Sequence, residues 1–381
     1  MRLTCLPEKL AEGLATVGRV VATRGTLPVL SNVLLQTDEG RLKLAATNLE
    51  LTISAWVGAK VEADGAVTLP ARLLSEYVGL LTAGEPLHLE MKGTKVHLAC
   101  GRFEANISGI DADEFPPIPT VGGGESFALP AAALKQAIQN VAFAAAPDDS
   151  RPVLAGVLVT IAEGRLTLAA ADGFRLAVRR LDVSASGAPD LTMIVPARAL
   201  NELARGLPDD ESEEVRVAAT PDRNQVLFQY KSAELVSRLI DGQFPDFNRI
   251  IPKESKTRVT VQTGDLLRAT RAAQVFARDN SMIVRLELTP PERQDDMALG
   301  SIVVTATSAE IGDNTGEVDA SVEGEAQQVA FNGRYLRDAL ESLDAQQAFL
   351  EITGPASPGL IRPADGDNSY FHVIMPMHVA K

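Results

Sequence analysis

The chain has 381 residues, which at roughly 150 residues per domain makes two or three domains. Hydrophobic residues make up 45% and charged residues 23%, so sizeable cores can form and disorder is excluded, while aromatics at 4% leave those cores to Leu, Val, Ile and Ala. A formal net charge of −14 argues against a non-specific nucleic-acid binder, whose footprint is a basic patch, but a sum leaves open where each sign sits.

Two cysteines, Cys5 and Cys100, exclude a disulfide scaffold and a multi-cysteine zinc framework. The opening MRLTCLPEKLAEGL lacks a basic segment followed by an uninterrupted apolar one, so no signal peptide is expected. No run of about 18 apolar residues occurs, and a reduced, soluble, cytoplasmic protein without membrane contact is expected.

In chain order, a short alternating strand in MRLTC leads into a helix over 7–21, with Leu10, Leu14 and Val17 at helical spacing. Pro7 suits its first turn, where a missing N–H costs nothing, and Pro70 and Pro196 read the same way in later helices. After the turn Asp38-Glu39-Gly40, Leu42 and Leu44 alternate with Arg41, Lys43 and Ala45, the pattern of a strand leaving a hairpin. LPAR (69–72) opens a helix over 70–81, and strands continue to DEFPPIP at 113–119. Gly122-Gly123-Gly124 reads as a linker. The order then restarts: a helix over 130–142, strands, VPAR (195–198) with a helix over 196–206, and strands closing at GQFPDFNRIIP (242–252). A third round has helices over 264–278 and 332–343, the second opened by FNGR (331–334).

The restarts are repeats of one unit. PVLSNVLLQTDEGRLKLAA (28–46) lies over PVLAGVLVTIAEGRLTLAA (152–170) without a gap, identical at 12 of 19 positions. Three copies fit, over 1–123, 124–254 and 255–381. Each has two short helices outnumbered by strands and no βαβ alternation, so the fold class is α+β with helices on one face of mainly antiparallel sheets. The six expected helices hold eleven basic residues against seven acidic ones, a surplus of four inside a chain whose remainder must sum to −18. If they shared one surface, it would be basic within an acidic body, and charge acts locally because fields fade over about 10 Å at 0.1 M salt.

These features together resemble the bacterial DNA polymerase III β subunit, the sliding clamp family. The carriers are TLPVLSNVLL (26–35), ADGFRLAV (171–178), VPAR (195–198), DGQFPDF (241–247) and VIMPM (373–377), in order along the whole chain. The resemblance implies three repeats of the DNA-clamp fold, with antiparallel sheets outside and helices lining a central hole, in a head-to-tail homodimeric ring. It implies a processivity factor that encircles duplex DNA without sequence preference and tethers the polymerase III catalytic subunit. A separate clamp loader complex, and other polymerases and repair proteins carrying short linear motifs, are the further partners it implies.

Residue by residue, the resemblance places Arg24 in a DNA-facing loop, and Arg72, Arg198, Arg205, Arg268 and Arg271 are helix candidates for phosphate contact. A peptide pocket would be lined by Leu154, Gly173, Arg175, Leu176, Pro245, Arg249, Val373, Met375, Pro376 and Met377, with deformable methionines suiting several partners. The dimer contact would take Ala105 and Ile107 from the first copy and Gln274, Val275 and Phe276 from the third. Phe174 and Ala171 stand where the family commonly has His and Thr, and the tail continues as His378-Val379-Ala380-Lys381 where an Arg often follows the methionine.

No GxxxxGK loop is present, so ATP hydrolysis is not expected, and neither catalytic residues, cofactor nor metal are assigned. His88, His97 and Cys100 fall on one expected hairpin but lack ligand spacing and a fourth donor. His372 and Asp365 have no nucleophile motif beside them, and Asp172 reads as a turn residue beside the pocket. Two alternatives stay open beside the clamp: a repeat scaffold that binds peptides without touching DNA, and a metal-dependent hydrolase.

Overall fold

A computed structural model describes all residues except 23–26, 119–125, 149, 184–189, 221–223, 279–280, 292–299, 367 and 379–381. The Gly122–Gly124 linker and Arg24 therefore lie outside the described residues. The six expected helices are α1 (Pro7–Val17), α2 (Ala71–Val78), α3 (Ala131–Val141), α4 (Ala197–Gly206), α5 (Thr263–Ala277) and α6 (Gly333–Ser342). In α1, Pro7 takes the first turn, and Leu10, Leu14 and Val17 form the buried stripe that the spacing foretold. Pro70 and Pro196 instead end the strands Ala66–Pro70 and Leu191–Pro196, one position before their helices. A proline at a strand end meets no ladder bond it must donate to, and its fixed φ turns the chain toward the helix.

Among the described residues the strands are antiparallel throughout and form three sheets. The repeated Glu-Gly pair explains why the hairpins match: Glu39-Gly40 and Glu163-Gly164 both take positive φ (47° and 74°, 52° and 73°), the geometry a two-residue hairpin turn needs. They set the registers Asp38↔Arg41 and Ala162↔Arg165.

The chain divides into two compact units, one built on Met1–Lys135 and Arg198–Leu239, the other on Gln136–Ser184, Pro189–Ala197 and Ile240–Lys381. In the first, a five-stranded sheet runs Ala59–Ala63, Arg2–Cys5, Leu87–Lys92, Lys95–Cys100, Phe103–Ser108, with Phe103–Ser108 at its edge. An eight-stranded sheet joins four strands of the second repeat to four of the first, where Ala233–Arg238 pairs with Leu51–Val57. In the second unit, a twelve-stranded sheet joins the second repeat to the third, where Arg175–Asp182 pairs with Tyr370–Ile374. Both joins follow one rule: the last strand of one repeat pairs with the fourth strand of the repeat before it. Compact units thus cut across the repeats, because each sheet continues through a join.

The cores are aliphatic, as the low aromatic content requires. In the third repeat Leu266, Ala273 and Ala277 of α5 and Leu336 and Leu340 of α6 pack on Val259, Leu286, Val304, Phe331 and Leu350, each large side chain contributing about 1.5–3 kcal/mol by burial. Cys5 and Cys100 are buried free thiols flanking Leu87 across two ladder steps. Burial pushes the Cys5 thiol up to about 12, so it stays protonated and unreactive. Among the described residues, no helix is long and apolar enough to cross a membrane.

Candidate functional site

The segment ADGFR turns the chain from the strand Arg165–Ala171 into Arg175–Asp182, and its geometry comes from Asp172. Asp172 is buried, and its Oδ1 accepts the backbone N–H of Phe174 at 2.9 Å and of Arg175 at 3.0 Å. This is the turn role that the sequence suggested for it. Gly173 sits at φ +92°, where a side chain would be strained, and an added Cβ would lie 3.1 Å from Arg151 Nη1. Arg151 Nη1 donates to the Asp172 carbonyl at 2.6 Å and closes the turn from outside. Phe174 rides on this turn 59% exposed, and its carbonyl accepts the Met375 N–H at 2.8 Å.

Leu176 and Val373 are opposed across the join and fully buried. With Ala169, Val178 and Phe371 they form an apolar floor on which Leu158, Ala171, Phe247, Ile251 and Leu360 pack, half-buried. Of the other residues expected in the lining, Leu154, Pro376 and Met377 are half-buried, Pro245 and Arg249 are exposed, and Met375 is 38% exposed. Arg249 Nε is held by Asp246 Oδ2 at 3.0 Å, within a short helical turn that Asp246 caps.

Arg175 differs from its neighbours in the expected lining. Adjacent strand residues point to opposite faces, so Arg175 lies on the face away from Leu176. Its Nε donates to Asp172 Oδ2 at 3.2 Å, Nη1 to Asp338 Oδ2 at 2.7 Å and Nη2 to the Phe143 carbonyl at 2.6 Å. The guanidinium is also stacked on Tyr335 (4.5 Å) and Phe143 (5.3 Å), leaving the side chain 12% exposed. It braces the Asp172 turn from behind and fastens α6 to it.

Beside this brace, sequence reasoning missed a buried polar cluster. His372 Nε2 lies 2.6 Å from Tyr370 Oη and 3.1 Å from Ser342 Oγ, and Tyr370 Oη donates to the Asn140 carbonyl at 3.0 Å. Burial first, and the Arg175 charge second, lower the His372 pKa to about 3, so the ring is neutral. Burial likewise raises the Tyr370 hydroxyl. The only sequence signal was a polar residue inside the apolar run Tyr370–Ile374. Asp365, paired with His372 in one sequence reading, takes no part in these bonds.

The five described arginines expected to meet phosphate are all exposed on helices: Arg72, Arg198 and Arg205 in the first unit, Arg268 and Arg271 in the second. Arg72 pairs with Glu76 at 2.8 Å, Arg268 with Asp265 at 3.2 Å and Arg271 with Glu341 at 2.9 Å, all partly or largely solvated pairs that a phosphate can displace. Arg205 is different, because it pairs at 2.7 Å with Glu202, whose carboxylate is buried and depends on it. Of the expected dimer residues, Ala105 and Ile107 lie on the edge strand Phe103–Ser108, half-buried and buried. On α5, Val275 is 50% exposed and Phe276 packs on the core, whereas Gln274 is buried and its side-chain amide donates to the Gly333 carbonyl.

The hairpin histidines go to separate tasks. His88 Nδ1 bonds the Thr4 hydroxyl at 2.8 Å and His97 Nδ1 the Asn106 side chain at 3.2 Å, while Cys100, inward-facing, donates to the Glu85 carbonyl at 3.8 Å. Among the described residues no group of three metal-ligating side chains converges.

The chain matches the DNA polymerase III beta subunit in three successive parts: its N-terminal domain over 1–119, its central domain over 128–246 and its C-terminal domain over 248–378. It belongs to that family. Similar curated proteins include the beta sliding clamp of Synechococcus elongatus, 33% identical with both chains covered in full. Among solved structures, the Bacillus subtilis DNA polymerase sliding clamp matches at 28% identity and TM-score 0.92, both chains fully covered. A Pseudomonas aeruginosa sliding clamp bound to griselimycin matches at 28% identity and TM-score 0.91 over the same extent. The chain is therefore a sliding clamp, a non-catalytic processivity factor with the three-domain clamp fold of antiparallel sheets and helices. As the family does, it binds DNA and polymerase.

Proposed function

We propose that two copies of this chain close head to tail into a ring of six clamp domains, with boundaries near 1–123, 124–254 and 255–381, that encloses duplex DNA. One observation carries the reading. The rule that joins repeats within the chain is satisfied twice and leaves two strands without their partner: Phe103–Ser108, the last strand of the first repeat, and Gly312–Gly324, the fourth of the third. Along Gly312–Asp319 only one side of that strand is paired, with Gly300–Ser308. A second copy would repeat the same join, and two such contacts close a ring in which neither of these two strands keeps its free side.

Within the ring, Arg72, Arg198, Arg268 and Arg271 face the phosphates, joined by Arg24, and Arg205 stays with Glu202. Phosphate contacts carry no sequence information, so the ring slides. The floor of Leu176 and Val373, with Leu154, Gly173, Pro245, Arg249, Met375, Pro376 and Met377 around it and Arg175 as its brace, docks short peptide motifs. The polymerase III catalytic subunit, the clamp loader and repair proteins present them at the nucleoid in the cytoplasm. Phe174 puts an aromatic wall at the rim, and the griselimycin-bound relative supports a ligand-accepting cleft on this fold.

The test replaces Arg24, Arg72, Arg198, Arg268 and Arg271 by alanine together. Loader-dependent association with DNA is expected to fall at least about tenfold, and more steeply as salt rises, while binding of a peptide with a Gln and aliphatic anchors is unchanged. Undiminished DNA association would contradict the phosphate assignment.

A further inference from the structure

The sheet face that carries Leu176 and Val373 carries Val178 and Phe371 two residues further along, and then Arg180. The Arg180 guanidinium lies 5.4 Å from the Phe371 ring, and among the described residues it has no carboxylate or hydrogen-bond partner. Here the surface opens into a cavity of about 430 Å³ in which Arg180, Lys253, Arg258 and Arg362 stand against Glu254 and Glu351, over an apolar wall of Ile251, Leu360 and Phe371.

Four cations against two carboxylates is a local reversal of sign in a chain of net charge −14. The surplus is built in. Glu351 is buried, and one of its oxygens accepts both Arg258 Nε at 2.7 Å and Arg362 Nη2 at 3.1 Å. Burial alone would raise its pKa, but the two guanidiniums overcome this and hold it below the usual carboxylate value. Two arginines thus share one negative charge, and both stack on Phe349, at 5.4 and 4.9 Å. Neither Arg180 nor the exposed Lys253 shares it. The stretch that lays Phe247 and Ile251 on the floor of Leu176 and Val373 continues into the cavity wall as Ile251–Glu254.

We propose that this cavity receives acidic side chains lying just outside the anchor residues of a docked partner peptide, so that the cleft reads charge as well as shape. The inference rests on the peptide-docking reading above. From Leu176 to Arg180 is four strand residues, about 13 Å, a span that about four extended residues cover. Apolar anchors supply most of such an affinity, and flanking charge adds selectivity and a faster approach.

The experiment uses the full chain and fluorescent peptides of three kinds: anchors alone, anchors with four neutral residues, and anchors with four acidic residues, the extension placed at each end in turn. At low salt, the acidic extension at one end is expected to bind roughly fivefold more tightly than the neutral one, with the gain fading at high salt. Lys253→Glu should shrink the gain and Arg180→Glu with Lys253→Glu abolish it, with affinity for anchors alone unchanged in both. Equal affinity of acidic and neutral extensions, or a gain that survives the double variant, overturns the proposal while leaving peptide docking intact. If the anchor peptide itself fails to bind, the docking reading falls and this inference with it.

Discussion

His372 shows how one residue ties the site to the stability of the fold. Its folded pKa of about 3 lies below the ordinary 6.5, so at intermediate pH the unfolded chain takes up a proton that the native ring refuses. The resulting stability is complete above pH 6.5 and is lost as pH falls toward 3, at about 1.4 kcal/mol per unit. His372→Gln, which keeps a hydrogen-bonding side chain beside Tyr370 and Ser342, removes that component. Urea unfolding between pH 6 and 4 is expected to show a wild-type stability that falls more steeply than the variant's by about this slope, and equal slopes would contradict the neutral buried ring. At this scale the sequence is informative where chemistry is local. Asp172 could be read as a turn residue because its partners are two and three positions away. Arg175 could not be read as a brace, because Asp338 lies 163 residues further on, and the burial of Gln274 could not be read either, because its acceptor, Gly333, is set by packing between helices.

At the scale of elements, edges decide the behaviour. The helices and hairpins were legible because periodicity, prolines and the Glu-Gly turn act within a dozen residues. The joins were not, since pairing Arg175–Asp182 with Tyr370–Ile374 is a long-range choice that no local pattern announces, and neither is the half-free strand Gly312–Gly324. On the edge strand, Phe103 is 56% exposed, and Val275 projects from α5. Large apolar groups at an unpaired edge invite a partner. Phe103→Asp and Val275→Asp are each expected to weaken self-association at least about tenfold, since a charge would have to be buried in the contact, while circular dichroism stays native. Sedimentation velocity reads the result, and two variants that both remain dimeric at low concentration would contradict the proposed contact.

For the whole molecule, an acidic protein that acts on DNA is a paradox only if binding must come from net charge. Arg72, Arg268 and Arg271 hold partners that phosphates can displace, and each contact is weak. Residence must then come from topology, since a closed ring leaves only over an end. Repetition made the overall organisation legible from sequence, because 12 of 19 matched positions in two copies cannot arise from composition alone. The cation-lined cavity was not legible, because Arg180, Lys253, Arg258 and Arg362 come from four separate stretches of chain. The most direct test of the tether is retention on nicked circular DNA, loaded by the cognate loader with ATP, before and after the circle is cut. Stable retention on the circle and rapid loss on linearisation are expected. Equal retention on both forms would mean ordinary binding and contradict the ring.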